Sequence, residues 1–239
     1  MIWPLNPNLF CLAVLPLLLG AATAAFLTMG EGPAAARYAV VLPLSYLLGS
    51  IPWGYLILTW FRGVDIRQYG SGKTGMSNVL RTAGGRVAAA VLLLDLGKGI
   101  LVVLLAREVL GSTTGEVTAG LLALAGHNWP VFLNFQGGRG IATGLGVLAV
   151  MAPIPAAIGA AVFIPITLLS RYLSLGSIIG VIAASVSLMA LAMLDIYSTT
   201  YAWYASIGGA IIIWQHRDNI QRLLRGTERR LGNPAAKIS

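Results

Sequence analysis

Charge is scarce in this sequence: of 239 residues, 16 are Lys or Arg and 8 are Asp or Glu, so 10% carry a charge, against roughly a quarter in a soluble domain. That shortage excludes a water-soluble fold. Cysteine occurs once, as Cys11. It lies inside an apolar run, which rules out a disulfide within the chain and argues against a thiolate nucleophile there. The sequence offers no cluster of His, Cys, Asp and Glu spaced to ligate a metal and no Gly-x-Ser-x-Gly elbow. Internal repeats, low-complexity tracts and a soluble domain are missing as well. Residues 1 to 8 contain no Lys or Arg, so the first apolar run lacks the charged start of a signal peptide, although Ala22-Thr23-Ala24 would pass as a cleavage site. An uncleaved extra helix is the better reading.

What the sequence does have is apolar length. Hydrophobic residues make up 57%, and the runs Leu9 to Met29, Tyr38 to Phe61 and Leu173 to Leu194 each reach the roughly 20 residues a helix needs to cross about 30 Å of hydrocarbon. They are apolar all the way round, which indicates helices and not the alternating strands of a barrel. Membrane segments are expected near 9–29, 38–61, 87–106, 117–133, 144–169, 173–194 and 196–214. Arg62, Arg67, Lys73, Arg81 and Arg86 assign the first long loop to the cytoplasm, and Arg217, Arg222, Arg225, Arg229, Arg230 and Lys237 assign the tail there too. Three full crossings between Arg139 and the tail would break that parity. Residues 144–169 contain Pro153, Pro155 and Pro165, so this stretch is expected to form two short helices in a hairpin that returns Arg171 to the inside. The net charge of +8 is carried by these flanking loops. Membrane topology accounts for it, and no nucleic-acid partner is needed.

Four polar constellations stand out. The loop Tyr69-Gly-Ser-Gly-Lys-Thr-Gly-Met-Ser-Asn78, followed by Arg81, has the glycines, hydroxyls and guanidinium that suit a phosphate. It is not a nucleotide P-loop, because the earlier glycine of that motif would fall at Arg67. Its composition alone suits a flexible connector equally well. A second loop, Gly126 to Thr143, again clusters glycines round a cation, Arg139, so two such loops on one membrane face could hold two phosphates, or one from two sides. His127 by itself reads as a histidine satisfied near a helix end. Asp95 and Lys98, three residues apart in an apolar run, read first as an internal ion pair that fixes packing, and second as substrate ligands. The tail from His216 to Arg230 reads by itself as a basic amphipathic helix on anionic lipid. His216 and Asn219 are nevertheless one helical turn apart, directly after a membrane segment, so both can face one pocket.

Taken in order, Gly49-Ser-Ile-Pro-Trp-Gly-Tyr-Leu56, the loop Gly70 to Arg81, Asp95 with Lys98-Gly99, the loop Gly126 to Thr143 and the tail His216 to Glu228 resemble the bacterial membrane acyl-phosphate:glycerol-3-phosphate acyltransferases. The resemblance implies an all-α integral membrane protein with a seven-helix core over 38–232. One extra N-terminal transmembrane helix within 1–37 precedes it, and a short tail at 233–239 follows. It implies transfer of a long-chain acyl group from acyl phosphate to the 1-hydroxyl of glycerol 3-phosphate, giving lysophosphatidate and phosphate. The expected setting is the bacterial inner membrane, with the site facing the cytoplasm. Carried over by motif, His216 and Asn219 are expected to be catalytic. Ser71, Gly72, Asn78, Arg81, Gly137, Gly138, Arg139 and Ser177 are expected to bind substrate, and Asp95, Lys98 and Glu228 to be structural. No cofactor or metal is implied; the partners are the two substrates and membrane lipid. The chain departs from the family in having Lys73 for Asn, Met76-Ser77 for Ala-Thr, and Arg139 for Lys, the last keeping a cation with altered geometry. It also lacks the His-x-x-x-x-Asp pattern of another glycerolipid acyltransferase class: Phe132 follows His127 at that spacing, and Gln221 follows His216. A transporter or non-catalytic lipid-binding protein is the alternative. The broken helices at 144–169 suit it, and the gathering of polar residues at one face opposes it.

Overall fold

The computed structural model describes residues 6–29 and 32–237. Positions 1–5 and 30–31 of the expected N-terminal segment, and 238–239 of the tail, lie outside the described residues. Among the described residues eleven helices, besides two single 3-10 turns, account for the fold. Helix α1, Pro7–Thr28, starts where the Asn6 side chain accepts from the backbone of Asn8 and Leu9 and contains one π turn, Phe10–Val14. Helices α2, Ala34–Gly49, and α3, Trp53–Arg62, form a pair bent by 45°. The bend falls at Pro52, which offers no N–H and holds Ile51 out of the helical region. The expected boundary at residue 37 therefore falls inside α2.

The chain continues through α4, Met76–Ala83, α5, Gly85–Leu110, and α6, Thr113–Asn128. Helices α7, Ile141–Met151, and α8, Pro153–Ser170, are separated at Ala152. Then come α9, Leu173–Met193, α10 over residues 201–215 with a π turn at Tyr204–Gly208, and α11, Arg217–Leu224. By length and composition α1, α5, α8 and α9 can each cross a membrane, and α2 with α3 passes the same test when the bent pair is taken as one span.

Apolar burial does little to hold helices together in lipid, so close backbone approach between small residues takes over. Gly146 of α7 lies against the Leu96 backbone, and Gly99 of α5 against Thr143; a Cβ at either position would collide. Gly49 of α2 and Gly126 of α6 make the same kind of contact with each other's helices. One end of the bundle is tied by Arg107, whose guanidinium pairs with Glu116 at 2.9 Å and donates to the Val150 carbonyl at 3.0 Å. Tyr201 donates to the same Glu116 carboxylate at 2.8 Å.

The other end gathers the loops and the tail. The Arg171 carbonyl there accepts from Leu231 at 2.6 Å, and Arg139 donates to the Gln215 carbonyl at 3.2 Å. Helices α7 and α8 thus leave this end and return to it, as a hairpin does. Pro153 and Pro155 sit in the first turn of α8, where the missing N–H costs nothing. Pro165 does not break the helix, contrary to expectation: α8 runs on to Ser170, since a transmembrane helix tolerates one lost ladder bond when local adjustments satisfy the freed carbonyl.

Candidate active site

The first glycine loop is shaped by Asn78. Its side-chain amide donates to the carbonyls of Tyr69 at 2.8 Å, Lys73 at 3.0 Å and Ile66 at 3.3 Å, and its oxygen accepts from the Ser71 N–H at 3.2 Å. Expected to bind substrate, Asn78 here spends its amide on bracing the loop. Gly70 and Gly72 adopt left-handed φ of 56° and 67°, which glycine reaches without strain. The second loop leans on His127. Gly138 donates to its carbonyl at 3.0 Å, and the positions of Gly137 and Gly138 leave no room for a Cβ beside the His127 backbone and ring. These two glycines, also expected at the substrate, let the loop pack close enough to deliver Arg139.

Lys73, Arg81, Arg139, Ser177, His216 and Asn219 then converge on one polar chamber of about 60 Å³. Three helices, the junction of α10 and α11, and both loops supply them. Ser71 lies instead on a neighbouring basic cavity of about 380 Å³, which Arg139 also lines together with Arg222 and Arg229. The tail covers that cavity: Gly70 donates to the Ala236 carbonyl at 2.9 Å, Ala235 to the Arg81 carbonyl at 3.0 Å, and Arg229 to the Gly70 carbonyl at 3.1 Å. Residues 233–237 are therefore part of the site's enclosure.

Glu228 is the hub beneath. One carboxylate oxygen accepts from Ser174 at 3.0 Å and Asn219 at 2.8 Å, the other from Arg222 at 2.7 Å, so it ties α9, α11 and the tail together. Asp95 and Lys98 pair at 2.9 Å. Lys98 also donates to the Ile51 carbonyl at 3.0 Å, pinning α5 to the bend between α2 and α3. The cations outnumber the local carboxylates, and buried polar atoms of Ser71 (Oγ), Arg81 (Nε), Asn219 (Oδ1) and Arg222 (Nη2) have no hydrogen-bond partner. The guanidinium and hydroxyl groups among these are free to donate to an anion, whereas the Asn219 oxygen can only accept, as from a hydroxyl.

The glycerol-3-phosphate acyltransferase family model matches residues 39–226. A glycerol-3-phosphate acyltransferase 3 of Dehalococcoides mccartyi is 46% identical over 208 residues, 82% of this chain and 96% of the relative. One from Myxococcus xanthus is 46% identical over 188 residues, 78% of this chain and 96% of its own. The chain belongs to the glycerol-3-phosphate acyltransferase family. Crystal structures of PlsY, an integral membrane glycerol 3-phosphate acyltransferase, superpose on it. The glycerol 3-phosphate form has a TM-score of 0.75 at 38% identity, covering 82% of this chain and 96% of that one. The lysophosphatidic acid form has a TM-score of 0.73. Helix α1 precedes the family segment, and the covering tail from residue 227 follows it.

Within this acyltransferase, burial and the neighbouring Arg222 pull the Arg139 guanidinium down to about 10, so it stays charged near neutrality. Burial, with Arg229 and Arg222 nearby, lowers Arg81 as well. Lys73 is lowered by burial and by Arg139 and Arg217. At the end of α10, His216 Nδ1 lies 2.8 Å from the Ile212 carbonyl. A carbonyl only accepts, so Nδ1 holds the proton and Nε2 keeps its lone pair. Burial pushes the ring down to about 4, which leaves it neutral at physiological pH.

A third, apolar cavity of about 360 Å³ adjoins the chamber, the two sharing Met76, Leu92, Ile141, Ala142, Phe163 and Ser177 as walls. Sequence reasoning missed this cavity and the roles of Arg222 and Arg229. Its lining reads as ordinary transmembrane sequence, and the two arginines read as a lipid-facing basic stripe. The only advance signal is the set of glycines at 144, 159, 180, 208 and 209 that line the void.

Proposed function

We propose that this protein transfers a long-chain acyl group from acyl phosphate to the 1-hydroxyl of glycerol 3-phosphate, releasing phosphate and lysophosphatidate, at the cytoplasmic face of the bacterial inner membrane. The observation that carries the reading is the junction of a cation-rich polar chamber with a 360 Å³ apolar cavity across shared walls. A substrate with an anionic head and a hydrocarbon tail spans such a junction, and a small phosphorylated alcohol enters from the polar side. The PlsY forms named for glycerol 3-phosphate and lysophosphatidic acid support the acceptor and product, and the Lys and Arg distribution supports the orientation.

In the proposed step the acceptor hydroxyl oxygen attacks the acyl carbonyl carbon, the carbonyl–phosphate oxygen bond breaks, and the hydroxyl proton passes to His216 Nε2. Phosphate leaves with the bonding electron pair and collects a proton from solvent or from the imidazolium. The mixed anhydride is already activated, so holding both substrates in place and neutralising their charge is most of the catalytic task. Arg81, Arg139 and Lys73 are suited to the phosphates, and the free Asn219 oxygen to a hydroxyl.

The test is product formation by the detergent-purified protein given a long-chain acyl phosphate and glycerol 3-phosphate, with acyl-coenzyme A offered in parallel. Lysophosphatidate and phosphate in equal amounts from acyl phosphate alone is the expected result. Equal or better use of the thioester would overturn the proposed donor, and no product from either would overturn the reaction.

A further inference from the structure

The apolar cavity has a definite floor. From the wall it shares with the polar chamber, it follows α9 from Ser177 to Leu188, about 16 Å at the helical rise per residue. It follows α7 from Ile141 to Leu148, and α10 back from Ile212 to Tyr204. The three side chains at its deep end, Leu148, Leu188 and Tyr204, are all buried, Leu188 at 0% exposure. Behind them lies the network of Arg107, Glu116 and Tyr201, with Tyr201 one turn from Tyr204 and the Val150 carbonyl two residues beyond Leu148. A charged, hydrogen-bonded plug of this kind does not yield to a methyl group, because displacing it would leave its members unpaired. Tyr204 is itself held by donation to the Gly144 carbonyl at 3.2 Å. The flank is different. Ile164 on α8 lines the cavity and is also 53% exposed, so on this flank the cavity wall is part of the outer surface of the bundle.

We propose that Leu148, Leu188 and Tyr204 are the chain-length gauge of this enzyme: the donor's hydrocarbon tail enters past Ile164, and its terminal methyl stops against these three side chains. The inference rests on the proposed reaction and deepens it. A tail coming from a bilayer gains little per methylene, since it exchanges one apolar surrounding for another. Selection therefore acts by fit. Short tails leave void beside the floor and lose contacts gradually, whereas a tail too long overpacks a rigid floor and is rejected about tenfold or more.

The experiment compares kcat/KM across saturated acyl phosphates increasing by two carbons for wild type, Leu188→Ala, Leu188→Trp and Ala184→Leu. Ala184→Leu raises the floor by one turn should the tryptophan variant fail to fold. The expected wild-type profile declines slowly on the short side and steeply on the long side. The steep edge should move at least two carbons longer in Leu188→Ala and at least two shorter in Leu188→Trp or Ala184→Leu, with KM for glycerol 3-phosphate unchanged. Thermal protection by alkyl phosphonates of the same lengths, which needs no turnover, should show the same displaced edges. An edge that stays in place in both the deepened and the shallowed proteins overturns the gauge. Protection that tracks length in a protein inactive with every acyl phosphate retains the gauge and overturns the reaction.

Discussion

At His216 a single hydrogen bond sets the two ring nitrogens apart, and burial supplies the rest. With the ring pushed down to about 4, the base form dominates from neutrality to well below pH 6. His216 should therefore leave the pH–rate profile flat between pH 6 and 8 and depress it only below about pH 5. A histidine titrating near its usual value would instead produce an inflection near pH 6.5. His216→Ala should lower kcat by about 100- to 10,000-fold with a smaller change in KM, in a protein that still elutes as a folded species and melts cooperatively. Full turnover in that folded variant would falsify the proposed role. Stability follows the same ring: its proton affinity is lower folded than unfolded, so the contribution is complete above pH 6.5 and is lost as pH falls toward 4.

Arg81→Ala and Arg139→Ala should each raise KM for a phosphorylated substrate by roughly 10- to 150-fold, the size of a charge-assisted bond. Unaltered kinetics toward both substrates would remove these loops from the site. The pairing of His216 with Asn219 was legible in sequence because both lie on one short segment. The convergence of Arg81 and Arg139 was only suggested, since nothing in the intervening 57 residues fixes how the two loops turn toward each other. Asn78, Gly137 and Gly138 look like ligands in a motif, and in three dimensions they also brace the loops, Asn78 while lining the chamber; a string of letters does not say which way an amide points.

Among the elements, α1 is the one the family segment does not contain, and it is docked. Phe10, wholly buried, meets Phe132 edge to face with ring centroids 5.0 Å apart, and Phe132 belongs to the loop that delivers Arg139. Phe10→Ala should lower the melting temperature of the detergent-purified protein, by a loss of about 3 kcal/mol, whereas Leu12→Ala, at 81% exposure on the same helix, should leave it unchanged. Equal melting of the two variants would mean that α1 is loosely attached. The hairpin of α7 and α8 can be checked by single-cysteine labelling in a Cys11→Ser background: positions 73, 139, 171 and 222 should all react from one side of the membrane. Reaction of position 171 from the other side would break the hairpin. The existence of these helices was written in apolar length and proline placement. Pro165 was misjudged because a proline's effect depends on what satisfies its neighbours, which only packing decides.

On the scale of the whole molecule, polarity is sorted by depth: cations and glycine loops at one end, a small ion-paired plug at the other, and between them an apolar void whose flank at Ile164 is part of the outer surface. Entry of the donor past Ile164, as proposed, would take it from hydrocarbon while the acceptor comes from water, so on the proposed reaction the two reactants arrive from two different phases. The donor is then counted per unit of surface and not per unit of volume. At fixed amounts of enzyme, acyl phosphate and glycerol 3-phosphate, adding inert phospholipid or detergent should slow the reaction in proportion to the fall in the donor's mole fraction, while diluting the whole suspension with buffer containing the same glycerol 3-phosphate should leave turnover per enzyme nearly constant. Rates that follow bulk concentration instead would mean the donor comes in through the water. A side entrance thus predicts a two-dimensional rate law, in which membrane expansion alone throttles the enzyme with no change in any binding constant.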